Sequence, residues 1–336
     1  MNQSVFYARL EKFLIERNQS NQIQQLTPDA STREYFRVKW NDTSAIACVY
    51  PEPFDAKEQT YLDVTNLFLT GGLPVAKIFD FDEKLGVIIQ EDFGDTVLRN
   101  VLLNSDIEEH ERLIDEAIKL IARIQALTPK AYELNSIASR LKFDEEKLLW
   151  ELNFFKEHYF ESFKKEPLSA ADEEALTAEF VEISRELEAH AKVLTHRDFH
   201  AANLMLDTKS QLRIIDHQDS RIGTASYDLV SLLLDRVSEP PSRAWVREKR
   251  LFFLTEREKL GLVALDPDLF AREFYLQTIQ RCLKATGTFS YQSVFREKTY
   301  FIPYIKPMFQ IVCQSCERLG RFPNLQRIVN EQINEN

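Results

Sequence analysis

Hydrophobic residues follow two different spacings along the chain. From about residue 23 to residue 92, β-branched and aromatic residues form short runs between turn residues, a pattern typical of strands. One run, residues 55–69, has a helical period instead and precedes Gly71-Gly72, a helix stop signal. The predicted strands form two hairpins and span residues 35–40, 44–50, 76–81 and 86–90.

Beyond Gly94, apolar residues recur every three to four positions, which predicts helices. The predicted helices span residues 1–15, 107–127, 144–163 and 170–191, the last one capped by Ser169. Helices resume at residue 227 after a short strand-like region. This order predicts an α+β fold with two lobes: a small antiparallel-sheet lobe, residues 1–92, and a large, mainly helical lobe, residues 93–336.

The chain is acidic, with a formal net charge of −11 and no long basic block. Duplex-binding proteins carry a basic surplus, so nucleic acid is not an expected partner. A metal-bound polyphosphate is compatible, because Mg²⁺ brings its own positive charge. No apolar run approaches bilayer length, and residues 1–15 lack the apolar segment of a signal peptide. We therefore expect a cytoplasmic protein without a membrane partner, and nothing indicates an obligate protein partner.

The four cysteines are too few and too scattered for a disulfide-rich scaffold. Cys313 and Cys316 form a C-x-x-C pair, but a zinc site would need a second pair. Since the surrounding run looks helical, we interpret them as two thiols packed in a helix.

One segment carries a recognisable spacing of chemical groups. His196-Arg197-Asp198 is followed four residues later by Asn203, and a short predicted hairpin then leads to Asp216. This order matches the catalytic-loop pattern H-R-D-x-x-x-x-N of kinases and the metal-binding aspartate that follows it. An isolated His-Arg-Asp occurs by chance in many chains, but the full set at these offsets indicates a kinase-like site.

Phosphoryl transfer explains why these residue types are needed. Asp198 would accept the proton of the attacking hydroxyl, while the oxygens of Asn203 and Asp216 would hold Mg²⁺ against the phosphates. His200 and His217 could instead suggest a zinc site with Asp216, but their neighbours are unsuitable for a closed site.

The chain resembles the aminoglycoside phosphotransferase and choline kinase superfamily, which implies a bilobal, protein-kinase-like fold. Within it, the sequence is similar to the anomeric sugar kinases that phosphorylate N-acetylmuramate and N-acetylglucosamine in cell-wall recycling. The segments that carry the resemblance are 29–38, 90–95, 196–203, 216–219, 227–232 and 280–289.

The resemblance also implies nucleotide-binding residues. The loop from residue 29 to Arg33, with Ser31 and Thr32, would hold phosphate through backbone N–H groups, and Arg33 could add a charge-assisted bond. Gln90 and Glu91 would form the hinge whose backbone meets adenine. ATP and Mg²⁺ are the implied cofactors.

The sequence departs from the wider kinase pattern at one position. The second predicted strand has no lysine where many kinases place a phosphate-binding one, and Lys39 lies at the far end of the preceding strand. Arg33 is our hypothesis for the missing charge. Arg33 and Arg37 could equally be solvated charges at a strand edge.

The residues predicted to bind the phosphoryl acceptor are chosen because their side chains suit a sugar. Hydrogen-bonding carboxylates and amides are expected there, and Glu151, Asn153 and Asp219 are candidates. Arg281 and Lys284 lie one helical turn apart and could meet the carboxylate of a muramic-type sugar. Alternatively, they could cap this helix or be solvated charges on its surface.

The leading hypothesis is an ATP-dependent kinase that phosphorylates a hydroxyl of an amino sugar, the anomeric one in the sugar-kinase branch. Two alternatives stay open. An aminoglycoside or choline-type acceptor would also suit an acidic pocket. A nucleotide-binding pseudokinase is suggested by the missing lysine, although Asp198, Asn203 and Asp216 are all present.

Overall fold

The structure is a computed structural model that describes residues 5–26 and 32–334. In chain order, the strands are β1 (Ile23–Gln25), β2 (Glu34–Trp40), β3 (Thr43–Val49), β4 (Ile78–Asp82), β5 (Val87–Glu91), β6 (Val193–Thr195), β7 (Leu204–Leu206), β8 (Leu212–Ile214) and β9 (Arg221–Gly223). The helices are α1 (Val5–Glu16), α2 (Thr60–Thr70), α3 (Leu98–Leu102), α4 (Ile107–Ala126), α5 (Thr128–Glu133), α6 (Ile137–Arg140), α7 (Glu145–Lys156), α8 (Ala170–His190), α9 (Tyr227–Leu234), α10 (Arg243–Lys259), α11 (Pro267–Phe295), α12 (Ile305–Leu319) and α13 (Pro323–Asn334).

The chain forms two compact units, each assembled from separate segments. We call them the sheet unit and the helical unit. The predicted lobe boundary at residue 92 stays a prediction, because the two units are not continuous in sequence. The sheet unit comprises Met1–Asp106, Glu133–Ile137 and Ala201–Asp219, and the helical unit comprises Ile107–Tyr132, Ala138–His200 and Ser220–Asn336.

The sheet unit contains a five-stranded antiparallel sheet with strand order β1-β2-β3-β5-β4. Both predicted hairpins are confirmed. Asn41 and Asp42, which join β2 to β3, have φ values of 47° and 63°, as the tight two-residue hairpin turn requires. One face of the sheet packs against α1 through Leu10, Phe13 and Leu14, which are fully buried.

The short ribbon of β7 and β8 is attached to the sheet unit by backbone hydrogen bonds. The N–H of Ile214 donates to the carbonyl of Pro74 at 2.9 Å, and the N–H of Leu206 donates to the carbonyl of Thr96 at 2.8 Å. Residues 201–219 therefore pack with the sheet unit, although they lie far along the chain from its strands.

In the helical unit, the 29-residue helix α11 packs against α7, α9 and α12. Gly287 allows α11 to approach α7 closely, since a Cβ at this position would lie 2.7 Å from the Cα of Phe155. The helix predicted over residues 144–163 is α-helical only to Lys156. It continues directly as a π-helix, Glu157–Lys164, so the predicted helical segment is confirmed, although its second part is not α-helical.

The described residues contain no helix that is long and apolar enough to cross a membrane. All four cysteines are buried free thiols. Cys313 and Cys316 lie in α12, which confirms their interpretation as thiols packed in a helix.

Candidate active site

The catalytic-loop sequence follows β6 in the helical unit, and a buried carboxylate fixes its backbone. The N–H groups of His196 and Arg197 donate to the two carboxylate oxygens of Asp228 at 2.7 and 3.0 Å. Arg197 has a φ of 84°, a left-handed conformation that costs energy for a residue other than glycine. Burial raises the pKa of Asp228 to about 7, although both N–H groups act in the opposite direction.

Sequence reasoning did not assign this role to Asp228. A signal was available, because Asp228 is the single charged residue in the apolar run that forms α9. A carboxylate in such a run needs buried hydrogen-bond donors, and the loop supplies them.

The carboxylate of Asp198 is surrounded by cations. Its Oδ1 lies 3.2 Å from Nη2 of Arg281 and 3.5 Å from Nζ of Lys284, and its Oδ2 lies 3.9 Å from Nε of Arg197. Burial alone would raise the pKa of Asp198, but Lys284, Arg281 and Arg197 hold it well below its usual range. Asp198 is therefore a carboxylate at neutral pH.

Glu151 lies at the end of a chain of buried hydrogen bonds. Its Oε2 accepts a bond from Nε2 of Gln280 at 2.8 Å, and Gln280 in turn accepts one from Gln277 at 2.9 Å. Glu151 is 1% exposed, and its Oε1 has no hydrogen-bond partner among the described residues. This buried oxygen can therefore still accept a hydrogen bond.

The other predicted acceptor residues differ in position from Glu151. Asn153 follows Glu151 by two residues in the regular helix α7, so the two side chains project from different sides. Asp219 belongs to the sheet unit, whereas Glu151 and Arg281 belong to the helical unit. The assignments of Asn153 and Asp219 stay predictions.

Asn203 and Asp216, the predicted metal ligands, lie together in the sheet unit. The carbonyl of Asn203 accepts the N–H of Ile215 at 3.1 Å, and the Asn203 Nδ2 lies 3.4 Å from the Asp216 Oδ2. Asp216 has a left-handed φ of 61°, and Nε2 of Gln218 donates to its Oδ1 at 2.8 Å. An amide flip would turn the Asn203 oxygen towards the carboxylate, which gives the hard oxygen donors that Mg²⁺ prefers. The two residues therefore fit a magnesium ion.

His217 is a core residue and does not support the zinc alternative. Its Nε2 lies 2.7 Å from the hydroxyl of Thr65, and its ring packs against Tyr61 and Phe68. Across residues 5–26 and 32–334, no three His, Cys, Asp or Glu side chains are grouped as metal ligands.

Of the predicted phosphate loop, Ser31 lies outside the described residues and Thr32 is exposed. Arg33 is partly buried, and its Nη2 lies 3.7 Å from Oδ1 of Asp216. Its guanidinium also lies over the ring of Tyr50, at 5.6 Å from the ring centre. Arg33 therefore places a positive charge beside a predicted metal ligand.

Arg37 is held by ion pairs, with Asp92 at 2.7 Å and with Asp95 at 2.8 Å. Neither Arg33 nor Arg37 is a freely solvated strand-edge charge, so that alternative was wrong.

At the predicted hinge, the N–H of Glu91 donates to the carbonyl of Lys77 at 2.9 Å. Recognition of adenine by Gln90 and Glu91 stays a prediction and would need other backbone groups.

Comparisons with known proteins place these features in context. The sequence profile described as the phosphotransferase enzyme family matches residues 22–263. A curated relative named N-acetylmuramate/N-acetylglucosamine kinase, from Neisseria meningitidis serogroup B, is 30% identical over 264 residues, which are 78% of this chain and 76% of the relative.

Two solved structures resemble the chain at low identity. A candidate aminoglycoside phosphotransferase from Ralstonia eutropha matches with a TM-score of 0.61 and 13% identity, covering 93% of this chain and 98% of that one. A choline kinase from Streptococcus pneumoniae matches with a TM-score of 0.56 and 14% identity, covering 93% and 100%. These likenesses show the fold alone, and they confirm the predicted α+β, kinase-like fold class.

Proposed function

This chain belongs to the phosphotransferase enzyme family, and we propose that it transfers the γ-phosphoryl group of ATP to a hydroxyl of an amino sugar. Family membership confirms both the prediction of a phosphotransferase, which came from the spacing of Asp198, Asn203 and Asp216, and the resemblance to the aminoglycoside phosphotransferase superfamily. The acceptor class is supported by one observation, the 30% identity to the Neisseria meningitidis sugar kinase. N-acetylmuramate and N-acetylglucosamine are therefore the proposed acceptors, with the anomeric hydroxyl as the attacking group.

In this proposal, Asp198 accepts the proton of the acceptor hydroxyl as its oxygen bonds to the γ-phosphorus. The bond from that phosphorus to the bridging oxygen breaks, and ADP leaves with the electron pair. The low pKa of Asp198 keeps it ionised, so it is ready to accept a hydrogen bond from the hydroxyl.

Asn203 and Asp216 would hold Mg²⁺, which neutralises charge on the phosphates when it is bound. Arg33 would supply the positive charge that many kinases obtain from a strand lysine. Its contact with Asp216 at 3.7 Å supports this role, because the phosphates bound to the metal would come within its reach.

The acceptor residues are proposed in the same way. Glu151 offers an acceptor oxygen without a partner among the described residues, and Arg281 offers a cation beside Asp198. Asn153 and Asp219 remain candidates from the sequence.

The test is a coupled assay of ADP release across amino sugars, aminoglycosides and choline, with mass spectrometry of the product. We expect a phosphorylated amino sugar and a loss of about a thousandfold or more in kcat in Asp198→Asn, because the variant has no carboxylate base. Asp268→Asn, on the exposed first turn of α11, is the matched control and should retain wild-type activity. Transfer only to aminoglycosides or choline would reject the amino-sugar acceptor. No transfer to any acceptor would favour a pseudokinase.

A further inference from the structure

The helical unit contains a second cleft, between α10, α11 and α12, which we call the α10–α12 cleft. It holds about 460 Å³, part of it open to solvent, and none of the predicted catalytic, metal or acceptor residues lines it. Four apolar side chains contribute to its lining: Leu234, Val246, Phe274 and Ile311. An apolar lining of this kind suits the apolar body of a small molecule.

Two arginines line the same cleft. Arg243 lies in the first turn of α10, and Arg318 lies in the last turn of α12. Neither forms an ion pair with another described residue. The acidic residues nearest to them in sequence, Glu239 and Glu317, are exposed and do not line the cleft. The cleft therefore offers two charged donors that a ligand anion can contact.

A third arginine, Arg250, lies beside the aromatic wall of the α10–α12 cleft. Its guanidinium carbon lies 5.3 Å from the ring centre of Phe274 and 5.0 Å from that of Tyr275, and both rings line the cleft. Arg250 is 8% exposed, and its Nε and Nη1 have no hydrogen-bond partner among the described residues. Burial lowers the pKa of this guanidinium, and the nearby charge of Arg247 acts in the same direction.

The charge of Arg250 is not neutralised by a carboxylate of the described residues. The preceding residue differs, because Lys249 pairs with Glu111 at 2.5 Å and with Asp115 at 2.6 Å. A buried charge without a counterion costs free energy. Since apolar surroundings screen its field weakly, this charge attracts an anion in the neighbouring cleft more strongly than an exposed charge would.

We propose that the α10–α12 cleft binds a small organic anion, with its apolar body against Val246 and Phe274 and its carboxylate on Arg243 and Arg318. The buried charge of Arg250 adds attraction for the negative head. An inorganic anion would leave the apolar wall uncovered, and a neutral apolar molecule would leave the guanidinium groups without a partner. Binding at this cleft does not require the proposed kinase activity.

The test is a calorimetric titration of the full chain with 3-phenylpropionate, compared with the uncharged 3-phenylpropanol, at saturating Mg²⁺ and ADP. We expect one carboxylate to bind per chain and the alcohol to bind at least about tenfold more weakly. The double variant Arg243→Gln/Arg318→Gln should bind 3-phenylpropionate about tenfold or more weakly than wild type. Arg296→Gln, at an exposed arginine after α11 that does not line the cleft, is the matched control.

Arg250→Met removes the buried charge and keeps a similar side-chain volume. We expect it to bind 3-phenylpropionate about threefold or more weakly, with a Tm no lower than that of wild type, because an unpaired buried charge is lost. A lower Tm with unchanged affinity would overturn the role of Arg250 in binding.

Three other results would overturn the anion site itself. They are equal affinity for the acid and the alcohol, affinity for the acid that is unchanged in the Arg243→Gln/Arg318→Gln variant, and no binding of the acid to wild type. Binding that is lost in Lys284→Gln but not in the double variant would also overturn it, because the ligand would then lie beside Asp198.

Discussion

Removal of the Asp228 carboxylate should destabilise the fold in a way that depends on pH. Asp228→Ala leaves the buried N–H groups of His196 and Arg197 without an acceptor, at about 1–3 kcal/mol for each group. The loss from hydrogen bonds is therefore about 2–6 kcal/mol in total. The variant should show this full loss of stability at low pH, where the wild-type Asp228 is protonated and carries no buried charge.

The pH dependence follows from the raised pKa of Asp228, about 7 in the folded protein. The unfolded carboxyl has a pKa of about 3.9, so the folded state binds the extra proton between these values. Wild-type stability from this group is therefore present below pH 4 and is lost as pH rises towards 7. Between pH 5 and pH 8, ionisation of Asp228 lowers the free energy of unfolding of the wild type by about 3 kcal/mol. The variant lacks this carboxyl, so its stability does not fall for this reason.

Urea unfolding of both proteins at pH 5 and pH 8 measures the difference. We expect Asp228→Ala to have a lower free energy of unfolding than wild type at pH 5. At pH 8 this difference between the two proteins should be about 3 kcal/mol smaller. A deficit that is equal at both pH values, or larger at pH 8, would refute the reasoning from burial. The variant should also lose kcat, because the loop that carries Asp198 is no longer fixed. The Asp268→Ala control should change stability by no more than about 1 kcal/mol.

Three further predictions concern other parts of the molecule. Arg33→Ala should weaken ATP binding by about tenfold or more in calorimetry, with Arg33→Lys intermediate, because a cation beside Asp216 is lost; unchanged affinity would remove Arg33 from the phosphate site. Burial lowers the pKa of His200 to about 4, so wild-type stability is complete above about pH 6.5 and falls by up to about 3 kcal/mol as pH drops to 4. Urea midpoints should show a weaker acid dependence in His200→Gln, and identical profiles would contradict this. Gly287→Ala should cost about 1–3 kcal/mol in thermal unfolding, because its Cβ would lie 2.7 Å from the Cα of Phe155; an unchanged Tm would show that α11 shifts without strain.

Local patterns were enough to predict most elements of the fold. The hairpin of β2 and β3 was predicted from β-rich runs around residues 41–43, and its two-residue turn confirms this. Two details of the helices were not predicted. The helix predicted from residue 55 begins only at Thr60, where the side chain of Gln59 caps its first turn. The change from α7 to a π-helix at Glu157 left no periodic signal in the sequence.

By itself, the sequence determined which chemical groups are available: an aspartate, an asparagine and a second aspartate at kinase spacing, with no lysine on β3. Spacing along a chain cannot say which distant side chains converge on these groups. The tertiary structure placed Arg281 and Lys284 against Asp198, although they follow it by 83 and 86 residues. It also decided that Asp228 holds the catalytic loop and that His217 belongs to the core. These contacts depend on how helices and strands pack, and packing sets the burial and the charge environment that tune each group.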